Sequence, residues 1–139
     1  MKYYNLKTYK DLKQSIPNFE NFCDILQKYK ELINTGKLAE FYCRRLFRLE
    51  PVVPSNSNFD AMTQYLKKVE IKYRNFKKGK TPPGMKIDSS LVDYVYYLEL
   101  NENLLPINIY LYNIADLKHT TGMRVSFNKI PKTKVFSLE

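Results

Sequence analysis

The sequence predicts an α+β domain in which N-terminal helices pack on a mixed, largely antiparallel β-sheet. Three observations carry this: apolar residues recur at helical spacing between Phe19 and Leu49, strand-like runs fill 59–112, and no stretch has the composition of a linker. With 139 residues, 44% of them hydrophobic, the chain is long and apolar enough for one domain with a real core. It divides into an N-terminal arm (1–17), a core (18–112) and a C-terminal segment (113–139).

Residues 1–17 are basic and tyrosine-rich, with a weak period through Leu6, Tyr9, Leu12 and Ile16 that fits a short helix or an arm. Pro17-Asn18 punctuates, with Asn18 as N-cap and Glu20 in the first turn. Phe19, Phe22, Leu26, Tyr29 and Ile33 then form one face of a helix that Gly36 is expected to end. A second helix reads from about Lys37 to Arg48, with Leu38, Phe41, Tyr42, Leu46 and Leu49 inward, until Pro51 and Pro54 exclude further helix. Ser55–Asn58 is a loop by composition.

Phe59–Thr63 and Lys68–Asn75 read as strands joined by a short turn, with Val69, Ile71 and Tyr73 inward. Phe76–Lys86 is a polar loop containing Pro and Gly. Leu91–Leu100 is apolar on both faces for much of its length, which marks a central strand covered on both sides. Asn101-Glu102-Asn103 signals a turn, and Leu104–Tyr112 returns as its hairpin partner. Ile114–His119 suits a short helix, and the last twenty residues show no clear period.

The formal charge of +9 favours partners that carry phosphate or an anionic surface. The opening Met1–Asn5 lacks the apolar stretch of a secretion signal, and no run approaches the roughly 18 apolar residues of a membrane span, so a cytoplasmic protein with no membrane partner is expected. Cys23 and Cys43 form no C-x-x-C pair and read as buried free thiols. His119 is the only histidine, which rules out His-based metal clusters, and the four glycines form no phosphate-cradling loop. Of the twelve tyrosines, Tyr29, Tyr42, Tyr94 and Tyr96 fall at core spacings, whereas Tyr3, Tyr4 and Tyr73 are freer to stack on bases.

The residues that carry chemistry are Asp60 and, ten positions on, Glu70-Ile71-Lys72. On adjacent strands Asp60 sits beside Glu70, and period-two alternation puts Glu70 and Lys72 on one face. Two carboxylates with the backbone carbonyl of Ile71 form an oxygen site suited to Mg²⁺, with Mn²⁺ as substitute, held against a phosphodiester. Lys72 is placed to orient or deprotonate an attacking water, or to offset charge in the transition state. Acid-x-Lys also occurs at Asp11-Leu12-Lys13 and Asp116-Leu117-Lys118, and only the middle copy lies in a strand-like alternation. An ion-pair ladder on a solvated strand is the competing reading. Between Lys67 and Lys86 stand eight basic residues and one acid, Glu70. Lys68, Arg74, Lys77, Lys78, Lys80 and Lys86 are the candidates to hold a nucleic-acid backbone; a solvated lysine loop is the alternative for Lys77–Lys80.

With Gly36-Lys37-Leu38-Ala39-Glu40-Phe41-Tyr42 ahead of them, Asp60 and Glu70-Ile71-Lys72 resemble the PD-(D/E)XK nuclease superfamily over residues 36–112. The resemblance implies a restriction-endonuclease-like core, with Glu40 joining Asp60, Glu70 and Lys72 in catalysis. It also implies Mg²⁺-dependent endonuclease action on DNA, in restriction or mobile-element defence. Phe59 stands where the superfamily has its proline, and no basic residue is placed on a helix after the sheet. Cutting both strands calls for a homodimer. The alternatives are a non-catalytic nucleic-acid-binding module and a structural subunit of a phage or mobile-element assembly.

Overall fold

Helix α1 (Tyr9–Ser15), α2 (Phe19–Lys28) and α3 (Thr35–Phe47) precede the strands β1 (Glu50–Pro51), β2 (Ala61–Met62), β3 (Lys68–Asn75), β4 (Met85–Lys86), β5 (Tyr94–Leu100), β6 (Pro106–Asn113), β7 (Arg124–Val125) and β8 (Thr133–Ser137). This computed structural model describes residues 6–52, 59–80, 91–116 and 131–139 in full, and 85–86 and 124–125 as backbone. Tyr3, Tyr4, the Ser55–Asn58 loop, the Lys86 side chain and His119 lie outside the described residues. A six-stranded sheet runs β1-β2-β3-β5-β6-β8, and β4 pairs with β7 in a separate ribbon. Among the described strands only the β3–β5 pairing is parallel, so the α+β class with a mixed, largely antiparallel sheet is what the chain adopts.

The helices cover one face of this sheet. Leu12, Leu26, Leu38, Tyr42, Cys43 and Leu46 meet Val69, Ile71, Tyr96, Leu98, Ile109 and Phe136 there in one core. Rings link the helices in a chain, Tyr9 to Phe19 at 5.8 Å, Phe22 to Phe41 at 5.7 Å and Phe22 to Tyr42 at 6.1 Å. Edge-to-face and offset ring pairs of this kind add to plain area burial. The opposite face carries a smaller cluster of Val92, Val95, Tyr97, Tyr112 and Ile114. Strand β5 is therefore buried on both faces, as a run apolar but for Glu99 requires.

Several features differ from the sequence reading. The stripe from Phe19 to Ile33 is not one helix: α2 stops at Lys28, and Tyr29 is half exposed. The α2 end is drawn onto the β5–β6 turn, where Gln27 Nε2 donates to the Asn103 carbonyl at 3.2 Å and Lys30 Nζ to the Glu102 carbonyl. A new helix then starts at Asn34, whose Oδ1 accepts the Lys37 N–H at 3.0 Å. Gly36 thus sits in the first turn of α3 and ends nothing; it lies against Tyr73, whose Cε1 would meet a Cβ there at 3.5 Å, an ordinary van der Waals contact.

Asn18 precedes α2 in the left-handed region (φ 51°) and makes no side-chain cap bond. The segment that showed no period holds β7 and the edge strand β8. Strand β8 is the one that closes the core. It buries Val135 and Phe136, and Lys7 joins it through Lys7 N–H to the Val135 carbonyl at 2.9 Å and Ser137 N–H to the Lys7 carbonyl at 3.0 Å. Among the described residues no helix is long and apolar enough to cross a membrane.

Candidate functional site

Strand β2 is only two residues long, so β3 outruns it and leaves the Ile71 N–H without a backbone partner on that side. Asp60 fills the gap. Its Oδ2 accepts the Ile71 N–H at 2.7 Å while its own N–H donates to the Val69 carbonyl at 2.8 Å. Asp60 is thereby bonded to both chain neighbours of Glu70. The N–H and C=O of one strand residue lie on the same edge, so the Ile71 carbonyl opens toward the Asp60 side as well.

Alternation along β3 buries Val69 and Ile71 beneath α3 and leaves Glu70, Lys72 and Arg74 on the opposite face, each partly exposed. Glu70 Oε1 and Lys72 Nζ form an ion pair at 3.1 Å.

One row of α3 (Lys37, Glu40 and Arg44) faces Pro51, Val52, Phe59 and Asp60 across a cleft of about 380 Å³. Glu40 is paired with Lys37 at 3.5 Å, a contact that the exposed lysine makes weak. Arg44 Nε is buried with no hydrogen-bond partner among the described residues. Beneath lies Cys43, fully buried. Its thiol is pushed well above the ordinary range, first by burial and then by the negative charges of Asp60 and Glu40. It is held protonated and offers no soft metal ligand.

The structure therefore brings Glu40 and Asp60 into one cleft with two cations. Glu70 and Lys72 stand beside it on the sheet, joined to each other, and are not among the residues that line it. Among the described residues no three His, Cys, Asp or Glu side chains are grouped to hold a metal ion. The donors on offer are all oxygen: the Glu40, Asp60 and Glu70 carboxylates and the Ile71 carbonyl. Mg²⁺ suits that set, because it is commonly held by one or two carboxylates and keeps water in its other positions.

The basic residues divide. Lys77, Lys78 and Lys80 are exposed after β3, and Lys68 places its ammonium 5.6 Å from the Phe59 ring centroid. Arg74 does not project outward as a backbone contact would need. Its Nη2 and Nε donate to Glu99 Oε2 at 2.6 and 3.0 Å, its Nη2 also reaches the Lys80 carbonyl, and Asn108 Nδ2 donates to Glu99 Oε1 at 3.0 Å. Glu99 is the one buried acid of the described residues. Sequence reading passed over it, although an acid inside the run Tyr94–Leu100 was a signal that some cation faces it. Lys37 and Arg44 were missed for a different reason: only the fold, which sets α3 opposite Pro51, Val52, Phe59 and Asp60, makes a cleft of them.

No protein-family model matches this chain, and no curated protein matches it.

Proposed function

We propose that the chain is a Mg²⁺-dependent endonuclease of the restriction-endonuclease-like class, acting on DNA in the cytoplasm. One observation carries the reading: Asp60, anchored on the Ile71 amide beside Glu70 and Lys72, lines the same cleft as Glu40 from the preceding helix. Asp60, Glu70 and the Ile71 carbonyl would hold the cation, with Glu40 alongside. The cation, Mg²⁺ or Mn²⁺, would supply charge for the phosphoryl oxygens and a lowered pKa for the attacking water.

The chain's own residues have separable tasks. Lys72 orients or deprotonates the water, or offsets charge that builds on the phosphate. Lys37 and Arg44 give the cleft the positive charge that draws a phosphate to two carboxylates. Lys68, Lys77, Lys78, Lys80 and Lys86 position the nucleic-acid backbone without reading its sequence. One such site cuts one strand, so a homodimer is needed for both.

A second reading, a module that binds nucleic acid without cutting it, is favoured by the closed Glu70–Lys72 ion pair. Nicking of supercoiled plasmid in Mg²⁺ or Mn²⁺ separates the two. The endonuclease predicts nicking that Glu70→Ala and Lys72→Ala abolish while DNA binding persists. Binding by all three proteins with nicking by none establishes the module, and equal nicking by all three points to a contaminant.

A further inference from the structure

A second cleft, of about 370 Å³, opens where the C-terminal turn of α3 meets the tip of the β2–β3 hairpin. Phe47, Tyr65, Tyr94 and Tyr96 supply aromatic walls, Arg48 and Lys67 supply two cations, and no acid lines it among the described residues. Phe47 and Tyr96 are already stacked, with centroids 4.7 Å apart and planes 28° from parallel.

The hairpin tip is tightly held. Thr63 N–H donates to the Lys67 carbonyl at 2.9 Å, and Thr63 Oγ1 accepts the N–H groups of Tyr65 at 3.2 Å and Lys67 at 3.1 Å. Tyr65 is nevertheless 76% exposed, so a fixed loop holds a large ring in water beside an aromatic wall.

Aromatic faces with cations and no acid select a ligand that is flat and anionic, which is the chemistry of a nucleotide. An apolar peptide side chain would gain nothing from the two cations. The position adds to this. Glu40 and Arg44 of α3 face the first cleft, Phe47 at the helix end faces the second, and Arg48 of the second cleft is the left-handed cap (φ 54°) whose N–H bonds the Arg44 carbonyl.

We infer that this second cleft takes an unpaired base of a DNA strand, stacked against Tyr65 with its phosphates on Arg48 and Lys67. The inference rests on the DNA reading proposed above and narrows its substrate to DNA with an unpaired nucleotide next to the cut: single-stranded, flapped or branched.

The test uses the full chain in EDTA, so that no cutting intervenes. Fluorescence anisotropy compares a labelled oligothymidylate with an oligomer of equal charge whose bases are replaced by abasic sites. The normal oligomer is expected to bind about fivefold or more tighter, the discrimination to vanish in Tyr65→Ala and to survive in Tyr65→Phe. Circular dichroism checks that the variants are folded. Equal affinity for the two oligomers, binding of neither, or discrimination that persists in Tyr65→Ala overturns the proposal. Nicking without base discrimination sinks this cleft and spares the nuclease; discrimination without nicking does the reverse.

Discussion

Arg74 and Glu99 face each other across the parallel β3–β5 register, and two guanidinium nitrogens converge on one carboxylate oxygen. The pair is nearly dry, with side chains 12% and 4% exposed, and Asn108 satisfies the second oxygen. Removing one partner leaves the other charge buried and uncompensated. Arg74→Ala is expected to destabilise the fold by about 3 kcal/mol in urea denaturation. Adding Glu99→Gln to that variant removes the orphaned charge and should recover about 1 kcal/mol, a non-additivity that a surface ion pair would not show.

Asp60 separates stability from chemistry. Its carboxylate is the acceptor for a strand N–H that β2 is too short to serve. Asp60→Ala leaves that amide unpaired and should cost about 1–2 kcal/mol. Asp60→Asn keeps an acceptor oxygen and should stay within about 0.5 kcal/mol of wild type by the same measurement. Both remove the negative charge, so both should lose plasmid nicking. Nicking by Asp60→Asn at the wild-type rate would remove Asp60 from the metal site.

Tyr42 performs a comparable task in the core. Its hydroxyl, fully buried under α3, donates at 2.6 Å to the carbonyl of Leu104, a residue that sits at φ 62° in the β5–β6 turn. The bond ties the helical layer to the hairpin and steadies a leucine in a region that leucine seldom adopts. Tyr42→Phe deletes only the donor and leaves a buried carbonyl, so a loss of about 1–2 kcal/mol is expected in thermal or urea unfolding.

How far the chain could be read from its residues follows from the range of the forces involved. Strands β3, β5 and β6 were legible because alternation and the Asn101–Asn103 turn are local signals. The break between α2 and α3 was not, because the stripe Phe19–Ile33 runs on in phase, whereas the contacts made where α2 ends, by Gln27 and Lys30, are to a turn more than seventy residues away. Strand β8 was hidden for a similar reason, since Val135 and Phe136 declare themselves only when β6 and Lys7 are in place. At the candidate site, spacing alone put Asp60 beside the strand of Glu70. It did not show that Glu40 and Arg44 share the Asp60 cleft, or that Arg74 turns to Glu99, because a parallel register is set by tertiary packing and leaves no local mark.

Alkaline pH tests the packing of the core as a whole. Burial is the first cause that raises Tyr42, Tyr112 and Cys43, so in the fold each keeps its proton well beyond its ordinary value of 10.0 for the phenols and 9.0 for the thiol. Below pH 9 both folded and unfolded chains hold these protons, and the groups make stability neither rise nor fall. Above it the unfolded chain ionises Cys43 first and the two tyrosines a unit later, while the folded chain does not. Each group then withdraws about 1.4 kcal/mol of stability per pH unit until the folded-state pKa is reached. Urea midpoints should therefore hold level to about pH 9, bend downward, and steepen above about pH 10. Cys43→Ala should shallow the first bend, leaving the smaller share of Cys23, which burial also raises, and Tyr42→Phe, measured against its own value at pH 7, should flatten the steep limb by one group's share. A midpoint that stays level to pH 11 would mean that these hydroxyls and this thiol ionise in place, reached by water in the layers that otherwise stay dry on the two faces of the sheet.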